Sequence, residues 1–356
     1  MKLSDEQKYV ISRAVKLDQP ILTIGGYAGT GKTVVLKHLS DYFPNFAVCA
    51  YTGKASDVLR RKGVSGASTI HSLIYELEKD EFGNPVLDPD GCPNFVLKTQ
   101  IPYDGILLDE GSMVGKIIFS DLCSFGLPII VVGDHGQLEP IGNDAFNLMK
   151  NPDYTLETIH RNAGEIAYFA EHIRKGYKPS SFAFQNPKNI IFLNKYSAEP
   201  YYTQADQIIC AYNKTRVQIN RRCREMLGYF SEQPSEGDRI ICLKNDKQKN
   251  LFNGMKGTIK KLFKKPKNKM LFAVDDFDHE VLFDPMQFNQ EKFDSNGRSK
   301  DDPIPFDYSY CITAHKSQGS EYGKVMVIEQ RCEAWDHRRW AYTAASRAKE
   351  KVFWVS

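Results

Sequence analysis

Long apolar runs are absent from this sequence, and so is a leader-like N-terminus. The longest uncharged apolar run, residues 127–133, is far shorter than the roughly 20 residues that a membrane span needs. Residues 1–6 read MKLSDE and lack the apolar core of a signal peptide. These absences predict a soluble protein that is not exported and has no membrane partner, located in the cytoplasm, or in the host cytoplasm if the source is a virus.

Paired cysteines are missing as well. The eight cysteines are scattered and form no Cys-x-x-Cys pair. In a chain without an export signal, such thiols are expected to be reduced and packed. The sequence therefore predicts neither disulfides nor a zinc site.

A strong net charge is also lacking. With 47 basic and 44 acidic side chains, the 356-residue chain carries +3, which neither requires nor excludes a polyanionic partner. The distribution is uneven, because residues 247–274 contain nine lysines and no acidic residue. Apolar residues make up 42% and charged residues 26%, which excludes wholesale disorder, and the length predicts two or three domains.

Short apolar runs alternate with segments of helical period in both halves of the chain. This alternation predicts parallel strands with helical connections, and therefore doubly wound α/β sheets. The strands predicted for the first half are residues 21–25, 46–51, 105–108 and 128–133, with helices at 33–43, 55–62 and 114–125. Those predicted for the second half are 207–212, 324–329 and 351–355, with helices at 213–227 and 337–349.

Two segments interrupt this alternation. Residues 76–103 are rich in Gly, Pro and Asp and predict a hairpin that protrudes from the first sheet. Residues 234–285 have the short-strand rhythm that is typical of a small β-barrel.

A phosphate-binding motif follows the first predicted strand. Residues 26–33, GYAGTGKT, match G-x-x-x-x-G-K-[ST] fully and lie between a predicted strand and a predicted helix. In this motif backbone N–H groups point at phosphate oxygens, the lysine reaches the β- and γ-phosphates, and the hydroxyl ligates Mg²⁺. The motif predicts a site for a nucleoside triphosphate and Mg²⁺ that is lined by Gly26, Ala28, Gly29, Thr30, Gly31, Lys32 and Thr33.

Polar side chains follow two of the later strands. A P-loop needs a carboxylate at the end of a neighbouring strand, and Asp109 supplies it, so Thr33 and Asp109 are the predicted metal ligands. Glu110 is a candidate to orient or deprotonate the attacking water. Gln137, beyond the strand at 128–133, is a candidate to sense the γ-phosphate or that water. Without the P-loop, each would be interpreted as an ordinary strand end or surface amide.

More positive charge is needed at the transition state of phosphoryl transfer. An arginine within reach of the γ-phosphate can be worth roughly 10³–10⁵ in rate. Arg161 and Arg347 are the two candidates beyond the first predicted sheet. A lone arginine is more often one half of a salt bridge, and a family pattern is what favours these two.

In their order along the chain, the motifs resemble those of superfamily 1 helicases, in the RecD-like branch, and most closely the phage Dda-type DNA helicases. The resemblance covers nearly the whole chain. In the first half it includes Gln7, which matches the family's adenine-reading glutamine, and residues 50–55 (AYTGKA), 68–73 (STIHSL), 109–112 (DEGS) and 133–141. Gly111 departs from the alanine or valine that is usual in the family.

In the second half, residues 159–162 (IHRN) resemble the motif that carries the first arginine finger, which implies that role for Arg161 and adenine stacking for His160. Residues 313–321 (TAHKSQGSE) are similar to the motif that contacts nucleic acid and ribose, which places Gly319 and Glu321 among the nucleotide contacts. Residues 342–348 (YTAASRA) resemble the last motif, with Arg347 as the second finger.

The resemblance implies two RecA-like P-loop domains with parallel sheets. The first is expected at residues 1–155, with a hairpin insertion at about 76–103, and the second at 156–356, with a small β-barrel insertion at about 232–304. ATP is expected to bind between them, so that nucleotide binding and hydrolysis close and open a cleft.

A motor of this kind must grip a strand by its phosphates, with small donors rather than base-reading side chains. The candidates that fit in type and position are Thr52, Lys54, Thr69, His71, Asn213, Thr313, His315 and Ser317. By default each Thr or His among them would be a capping or core residue. Phe82 and Phe95, in the predicted hairpin, are candidates for a wedge that splits the duplex. A lysine set at or near the predicted barrel is either a solvated face or a phosphate track: Lys256, Lys260, Lys261, Lys264, Lys265, Lys267 and Lys269.

The sequence therefore predicts an enzyme, an ATP- and Mg²⁺-dependent DNA helicase that translocates on single-stranded DNA and unwinds duplex. The resemblance implies 5′-to-3′ movement, a monomeric motor, single-stranded and forked DNA as partners, and replication or recombination proteins as further ones. The alternatives are an RNA-directed helicase or nucleoprotein remodeller, since 2′-hydroxyl contacts are not visible in a sequence, and a nucleotide-switched binding module with little turnover.

Overall fold

The computed structural model describes residues 3–86, 94–139, 146–160, 164–244, 251, 253–263, 269–274, 277–291, 303–333 and 335–356. The described chain divides into two compact units. The first unit contains the described residues up to 179, and also Arg338–Ser346; the second unit contains those of 180–337 and Arg347–Ser356. The domain boundary predicted after residue 155 stays a prediction.

A six-stranded parallel sheet forms the centre of the first unit, in the order β3-β2-β6-β7-β1-β8. Its strands are β1 (Ile21–Gly26), β2 (Phe46–Ala50), β3 (Ser68–Thr69), β6 (Gly105–Asp109), β7 (Ile129–Gly133) and β8 (Tyr154–Leu156). The helices of this unit are α1 (Asp5–Ala14), α2 (Lys32–Tyr42), α3 (Gly53–Arg61), α4 (Ile70–Ile74), α5 (Lys116–Cys123) and α6 (Gly164–Arg174). Residues of α9 (His337–Ala345), apart from its first, also belong here.

Both faces of this sheet are buried, which explains why its strands are continuous apolar runs. Leu107 of β6 packs into one hydrophobic cluster, and its neighbours Ile106 and Leu108 pack into another on the opposite face. In register, Gly25 pairs with Gly133 and Ala50 pairs with Asp109. The carboxyl ends of β1, β2, β6 and β7 therefore lie along one edge of the sheet.

A short antiparallel hairpin pairs β4 (Tyr75–Leu77) with β5 (Phe95–Leu97). Apart from Tyr75, it falls within the segment predicted to protrude from the first sheet. The assignment of that segment as an inserted hairpin at residues 76–103 stays a prediction.

The second unit contains a five-stranded parallel sheet and a five-stranded antiparallel sheet. The parallel sheet has the order β16-β10-β17-β18-β9, and the antiparallel sheet has the order β14-β13-β12-β11-β15. The parallel strands are β9 (Ile190–Leu193), β10 (Gln207–Cys210), β16 (Cys311–Thr313), β17 (Tyr322–Ile328) and β18 (Ala348–Val355). The antiparallel strands are β11 (Arg239–Cys242), β12 (Lys256–Phe263), β13 (Lys269–Val274), β14 (Phe277–Leu282) and β15 (Phe306–Tyr308), and the helices are α7 (Asn213–Met226) and α8 (Ala314–Ser317).

The predicted α/β class with two parallel sheets is confirmed, and one predicted element is wrong. The helix expected at residues 337–349 ends at Ala345, and Lys349 lies in β18 instead. The reason is tertiary pairing, because β18 is hydrogen-bonded between β17 and β9 and its apolar half is buried. The small barrel stays a prediction. None of the helices described is both long and apolar enough to cross a bilayer.

Candidate functional site

The P-loop forms the turn between β1 and α2. Gly29 and Gly31 have φ angles of 81° and 83°, in the left-handed region that favours glycine. A Cβ atom on Gly31 would collide with the side chain of Gln7, and one on Gly26 would collide with neighbouring P-loop side chains. Helix α2 begins at Lys32 without a side-chain cap. Its first N–H groups therefore remain available to an anion, as at other helix N-termini that bind phosphate.

Lys32 is held against the loop by three oxygen atoms. Its Nζ donates hydrogen bonds of 2.9 Å to the carbonyl oxygens of Gly26 and Tyr27. It also lies 3.5 Å from Oδ2 of Asp134, a carboxylate that is 1% exposed. These contacts fix the cation beside the loop, where the phosphate motif requires it.

Asp109 and Glu110 stand at the carboxyl end of β6. Burial, together with the negative charge of Glu110, raises the pKa of Asp109 to about 7. Glu110 has φ 54° and ψ 41°, a left-handed conformation that is uncommon for a residue with a side chain. Its Oε2 is buried and accepts no hydrogen bond from the part of the chain that the structure describes. Such an acceptor is costly unless a water or a cation satisfies it.

Gln137 lies beyond the end of β7 and is 3% exposed. Its Nε2 donates to Oδ2 of Asp134 at 3.2 Å, and Asp134 Oδ1 accepts from the N–H of Gly136 at 2.9 Å. Because the carboxylate can only accept, it fixes the orientation of the Gln137 amide. Oε1 of Gln137 is buried and has no hydrogen-bond partner among the described residues. An oriented acceptor of this kind suits the positioning of a water.

Gln7 reaches the P-loop because its helix has a capping box. Ser4 Oγ accepts from the N–H of Gln7 at 3.2 Å, and Gln7 Oε1 accepts from the N–H of Ser4 at 3.1 Å. Its Nε2 then donates to the carbonyl oxygen of Thr30 at 3.1 Å and contacts Nε2 of His160 at 2.9 Å. The sequence singled out Gln7 and His160 separately, and the structure brings them together in the first unit.

Tyr342 belongs to the same unit and was missed as a site residue. Its hydroxyl accepts from the N–H of Ala28 at 2.7 Å and donates to Oδ2 of Asp134 at 2.7 Å. The motif at residues 342–348 predicts a role for its arginine, and nothing local in the sequence indicates that Tyr342 contacts the P-loop.

The residues present fit a nucleotide with Mg²⁺. A divalent cation beside Asp109 would stabilise the charged form that burial disfavours, and the buried Oε2 of Glu110 has no described partner. Thr33, the second residue of α2, lies at the N-terminus that faces the loop. Asp109 and Thr33 would hold the metal, which would supply positive charge to the phosphates.

Three of the predicted strand-binding residues share one local arrangement. Thr52, Thr69 and Thr313 follow or end strands β2, β3 and β16, and each caps the next helix. Their hydroxyl oxygens accept from backbone N–H groups at 3.1 Å, 3.2 Å and 3.4 Å. The three threonines are therefore helix caps, which is the role expected of them by default. They also place helix N-termini at the strand ends. Lys54 is the second residue of α3, and His71 packs against Tyr75.

The remaining strand-binding candidates lie in the second unit. Asn213 is the first residue of α7, and its Oδ1 accepts from Arg216 Nε at 3.1 Å. Burial lowers the pKa of His315. Ser317 is fully buried, and its hydroxyl donates to the carbonyl oxygen of Ala314 at 2.7 Å. Contact with DNA would require Ser317 to become exposed. All eight strand-binding assignments stay predictions.

The nucleotide candidates of the second half stay predictions too. Arg347 is 5% exposed, and its Nη1 donates to the carbonyl oxygen of Ser320 at 3.4 Å. Gly319 has a φ of 67°, and Glu321 forms an ion pair of 2.9 Å with Lys349. Arg161 lies outside the described residues.

The lysine set does not form a uniformly free face. Lys260 pairs with Asp278 at 2.7 Å and Lys269 pairs with Glu280 at 2.6 Å. Lys256 bonds the hydroxyl of Tyr322 at 2.5 Å, and Lys261 stacks over Phe263. Three further members, Lys264, Lys265 and Lys267, lie outside the described residues. The solvated, paired interpretation is therefore favoured for the described lysines.

Two family models match parts of the chain. A family model described as an AAA domain matches residues 2–193, and one described as a UvrD-like helicase C-terminal domain matches residues 308–355. The ATP-dependent RecD2 DNA helicase of Deinococcus radiodurans is 25% identical over 386 residues, covering 99% of this chain and 48% of the relative. The chain thus spans about half the length of this curated relative.

Solved structures share the fold. A structure of two coordinating Pif1 helicases at forked dsDNA has a TM-score of 0.65 and 20% identity, covering 99% of this chain and 92% of that one. The Pif1 helicase from Bacteroides in complex with ADP-AlF3 and ssDNA has a TM-score of 0.61 and 20% identity, with the same coverage. With the AAA-domain match extending over more than half of its residues, the chain belongs to that family, and it is similar to the RecD2 helicase in sequence and to the Pif1 structures in fold.

Proposed function

We propose that this chain is an ATP-dependent DNA helicase that translocates on single-stranded DNA in the 5′-to-3′ direction and unwinds duplex. One observation carries the ATP-hydrolysing part of the proposal. Two buried acceptors, Glu110 Oε2 and Gln137 Oε1, have no described hydrogen-bond partner and belong to residues that follow adjacent strands beside the P-loop. A site that only binds nucleotide has no need of two such acceptors, whereas one that activates a water does.

The residues take distinct roles in this proposal. Lys32 and the loop amides hold the phosphates, while Thr33 and Asp109 hold Mg²⁺. Glu110 accepts a proton from the attacking water, and Gln137 orients that water. Arg347, with Arg161, supplies positive charge to the transition state. Gln7 and His160 hold the adenine, and Gly319 and Glu321 the ribose.

The names of similar proteins support DNA as the track. RecD2 is named a DNA helicase, and the Pif1 structures are described with ssDNA and with forked dsDNA. The proposed gripping residues are Thr52, Lys54, Thr69, His71, Asn213, Thr313, His315 and Ser317. The 5′-to-3′ direction and a monomeric motor are carried over from the RecD-like resemblance.

A steady-state ATPase assay on the full chain tests the proposal. With Mg²⁺ present, single-stranded DNA should stimulate hydrolysis strongly, and Lys32→Ala should abolish it. Lys37→Ala is the matched control, because Lys37 lies on the same helix but pairs with Asp41 at the surface. Hydrolysis without stimulation by any strand would favour the nucleotide-switched module, and stimulation by RNA alone would favour the RNA-directed alternative.

Direction and unwinding need a second assay. Forked duplexes that carry a single-stranded tail at either the 5′ or the 3′ end, in DNA and in RNA, should show displacement only when a 5′ DNA tail is present. Displacement from 3′ tails alone would contradict the proposed direction and leave the ATPase assignment intact.

A further inference from the structure

Tyr342 connects the P-loop to the end of β7 through a single hydroxyl group. The side chain is 1% exposed, and its oxygen lies 2.7 Å from the nitrogen of Ala28 and 2.7 Å from Oδ2 of Asp134. Because the backbone N–H only donates and the carboxylate only accepts, the hydroxyl accepts from the first and donates to the second. All three residues belong to the first unit.

The position of Lys32 identifies which end of the loop Tyr342 contacts. Lysine in this motif reaches the β- and γ-phosphates. Its Nζ bonds the carbonyl oxygens of Gly26 and Tyr27, the two residues before Ala28, and lies 3.5 Å from the same Asp134 oxygen. The Ala28 amide therefore lies at the γ-phosphate end of the loop.

The helix that carries Tyr342 is fixed to the residues that follow β7. Thr343 Oγ1 accepts from the N–H of Leu138 at 2.9 Å, and Arg339 Nη1 donates to the carbonyl oxygen of Gln137 at 3.1 Å. The Tyr342 ring meets the Tyr27 ring edge to face, with centroids 6.3 Å apart. These contacts hold the hydroxyl in place, so that it connects two fixed segments of the chain.

We propose that Tyr342 is a positioning residue through which the site distinguishes ATP from ADP. Its hydroxyl keeps the γ-phosphate end of the P-loop and the Asp134–Gln137 pair in one arrangement. When a γ-phosphate draws Lys32 away from Asp134, the buried carboxylate still has Tyr342 as a donor, together with Gly136 and Gln137. Without the hydroxyl, Asp134 retains Lys32 more strongly, and the affinity for the triphosphate is therefore lower. This inference rests on the proposed ATPase function.

The test is Tyr342→Phe, which removes the hydroxyl and keeps the ring. Dissociation constants for ADP and for the non-hydrolysable analogue AMP-PNP, each with Mg²⁺, should be measured by calorimetry on the full chain. Loss of a buried hydrogen bond of this kind predicts AMP-PNP binding weakened about fivefold or more, with ADP binding changed by less than about twofold. Tyr154→Phe is the matched control, since Tyr154 bonds Arg13 in the same unit and should leave both constants unchanged.

Different failures have different meanings. An equal change for both nucleotides would mean that Tyr342 serves only the structure of the unit, and no change would mean that the bond is irrelevant. Either result overturns the inference while wild-type ATP hydrolysis still supports the proposed function. Absence of wild-type hydrolysis would instead refute the proposed function.

A double-mutant cycle with Asp134→Asn distinguishes loss of the bond between Tyr342 and Asp134 from a general loss of folding. If the two residues act through one bond, the double variant should bind AMP-PNP no more weakly than the weaker single variant. Additive losses would overturn the proposed link between Tyr342 and Asp134.

Discussion

Gln7 and His160, 153 residues apart in the sequence, meet with their Nε2 atoms 2.9 Å apart. The capping box fixes the Gln7 amide, because Oε1 must accept from Ser4 N–H. The NH₂ group therefore donates, and it reaches the carbonyl oxygen of Thr30, which lies 3.2 Å from His160 Nε2 as well. A helix cap at the start of the chain thus determines which polar group faces the P-loop.

The Gln7 amide should determine selectivity for the base. Gln7→Glu retains an acceptor for the capping box and removes the NH₂ donor. We expect KM for ATP to rise about tenfold and KM for UTP to change little, since a lost hydrogen bond to a polar group is worth about 1–2 kcal/mol. Competition assays with the two nucleotides measure this, with the exposed Gln204→Ala as control. Equal changes in both KM values would rule out a role in reading adenine.

Glu110→Gln should separate binding from turnover. The amide preserves size but cannot take a proton, so turnover should fall by about 10²–10⁴ while ATP binding persists. Single-turnover hydrolysis and nucleotide titration give the two quantities. Asp41→Asn, which alters an exposed ion pair with Lys37, should behave like wild type. Retained turnover in Glu110→Gln would refute its assignment as the base.

Arg347→Ala should keep nucleotide binding and lose hydrolysis by about 10³ or more, as expected when an arginine finger is removed. Arg347→Lys should recover little, because an ammonium cannot reproduce the guanidinium fork. Stimulated ATPase rates measure the effect, with the exposed Arg221→Ala as control. Normal turnover in Arg347→Ala would remove this residue from the catalytic set.

Phe82 is the first candidate for the predicted wedge at a duplex junction. It is 88% exposed, in a turn where Asp80 Oδ1 accepts from the N–H groups of Phe82 and Asn84. Phe82→Ala should slow strand displacement about fivefold or more, in line with the loss of one stacked base, and leave DNA-stimulated ATPase unchanged. Phe184, 90% exposed in the second unit, provides the control variant. Equal displacement by the Phe82 and Phe184 variants would contradict a wedge role. Phe95, 53% exposed on β5, is the second candidate.

His135 should make the first unit sensitive to acid. Burial lowers the pKa of His135, outweighing the nearby Asp134 carboxylate, and its ring packs 4.2 Å from the Tyr27 ring. The unfolded chain therefore binds a proton more readily, and stability falls as the pH drops below about 6.5. When the pH is lowered from about 7.5 to about 5.5, the melting temperature of His135→Phe should fall less than that of the wild type. Parallel melting curves for the two proteins would show that His135 does not contribute.

Local sequence was sufficient where one interaction dominates. The strands β1, β2, β6 and β7 were predicted to within two residues, since burial on both faces requires continuous apolar runs. The P-loop and the acids at 109 and 110 were predicted from their positions relative to strand ends. The last helix was predicted too long, because pairing with β17 and β9 overrides its helical pattern.

Contacts between residues that are far apart in the sequence could not be predicted from local patterns. Helix α1 was not predicted, although Ser4 and Gln7 carry the signature of a capping box. Tyr342 contacts residues 314 and 208 positions earlier, and no periodicity reports such proximity. Asp134 and Gln137 are close in sequence, but their hydrogen bond depends on the geometry of the turn after β7, which no residue pattern indicated.

The discontinuity of the first unit has a consequence for synthesis. Residues Arg338–Ser346 complete that unit, supplying the bonds from Tyr342 to Ala28 and from Thr343 to Leu138. A ribosome delivers this segment only after residues 180–337 have been made. Domains generally fold in the order in which they emerge, but here the bond from the P-loop to Tyr342 can form only after this late segment has been made. A fragment ending at residue 179 would therefore be an incomplete module, however cleanly its strands were formed.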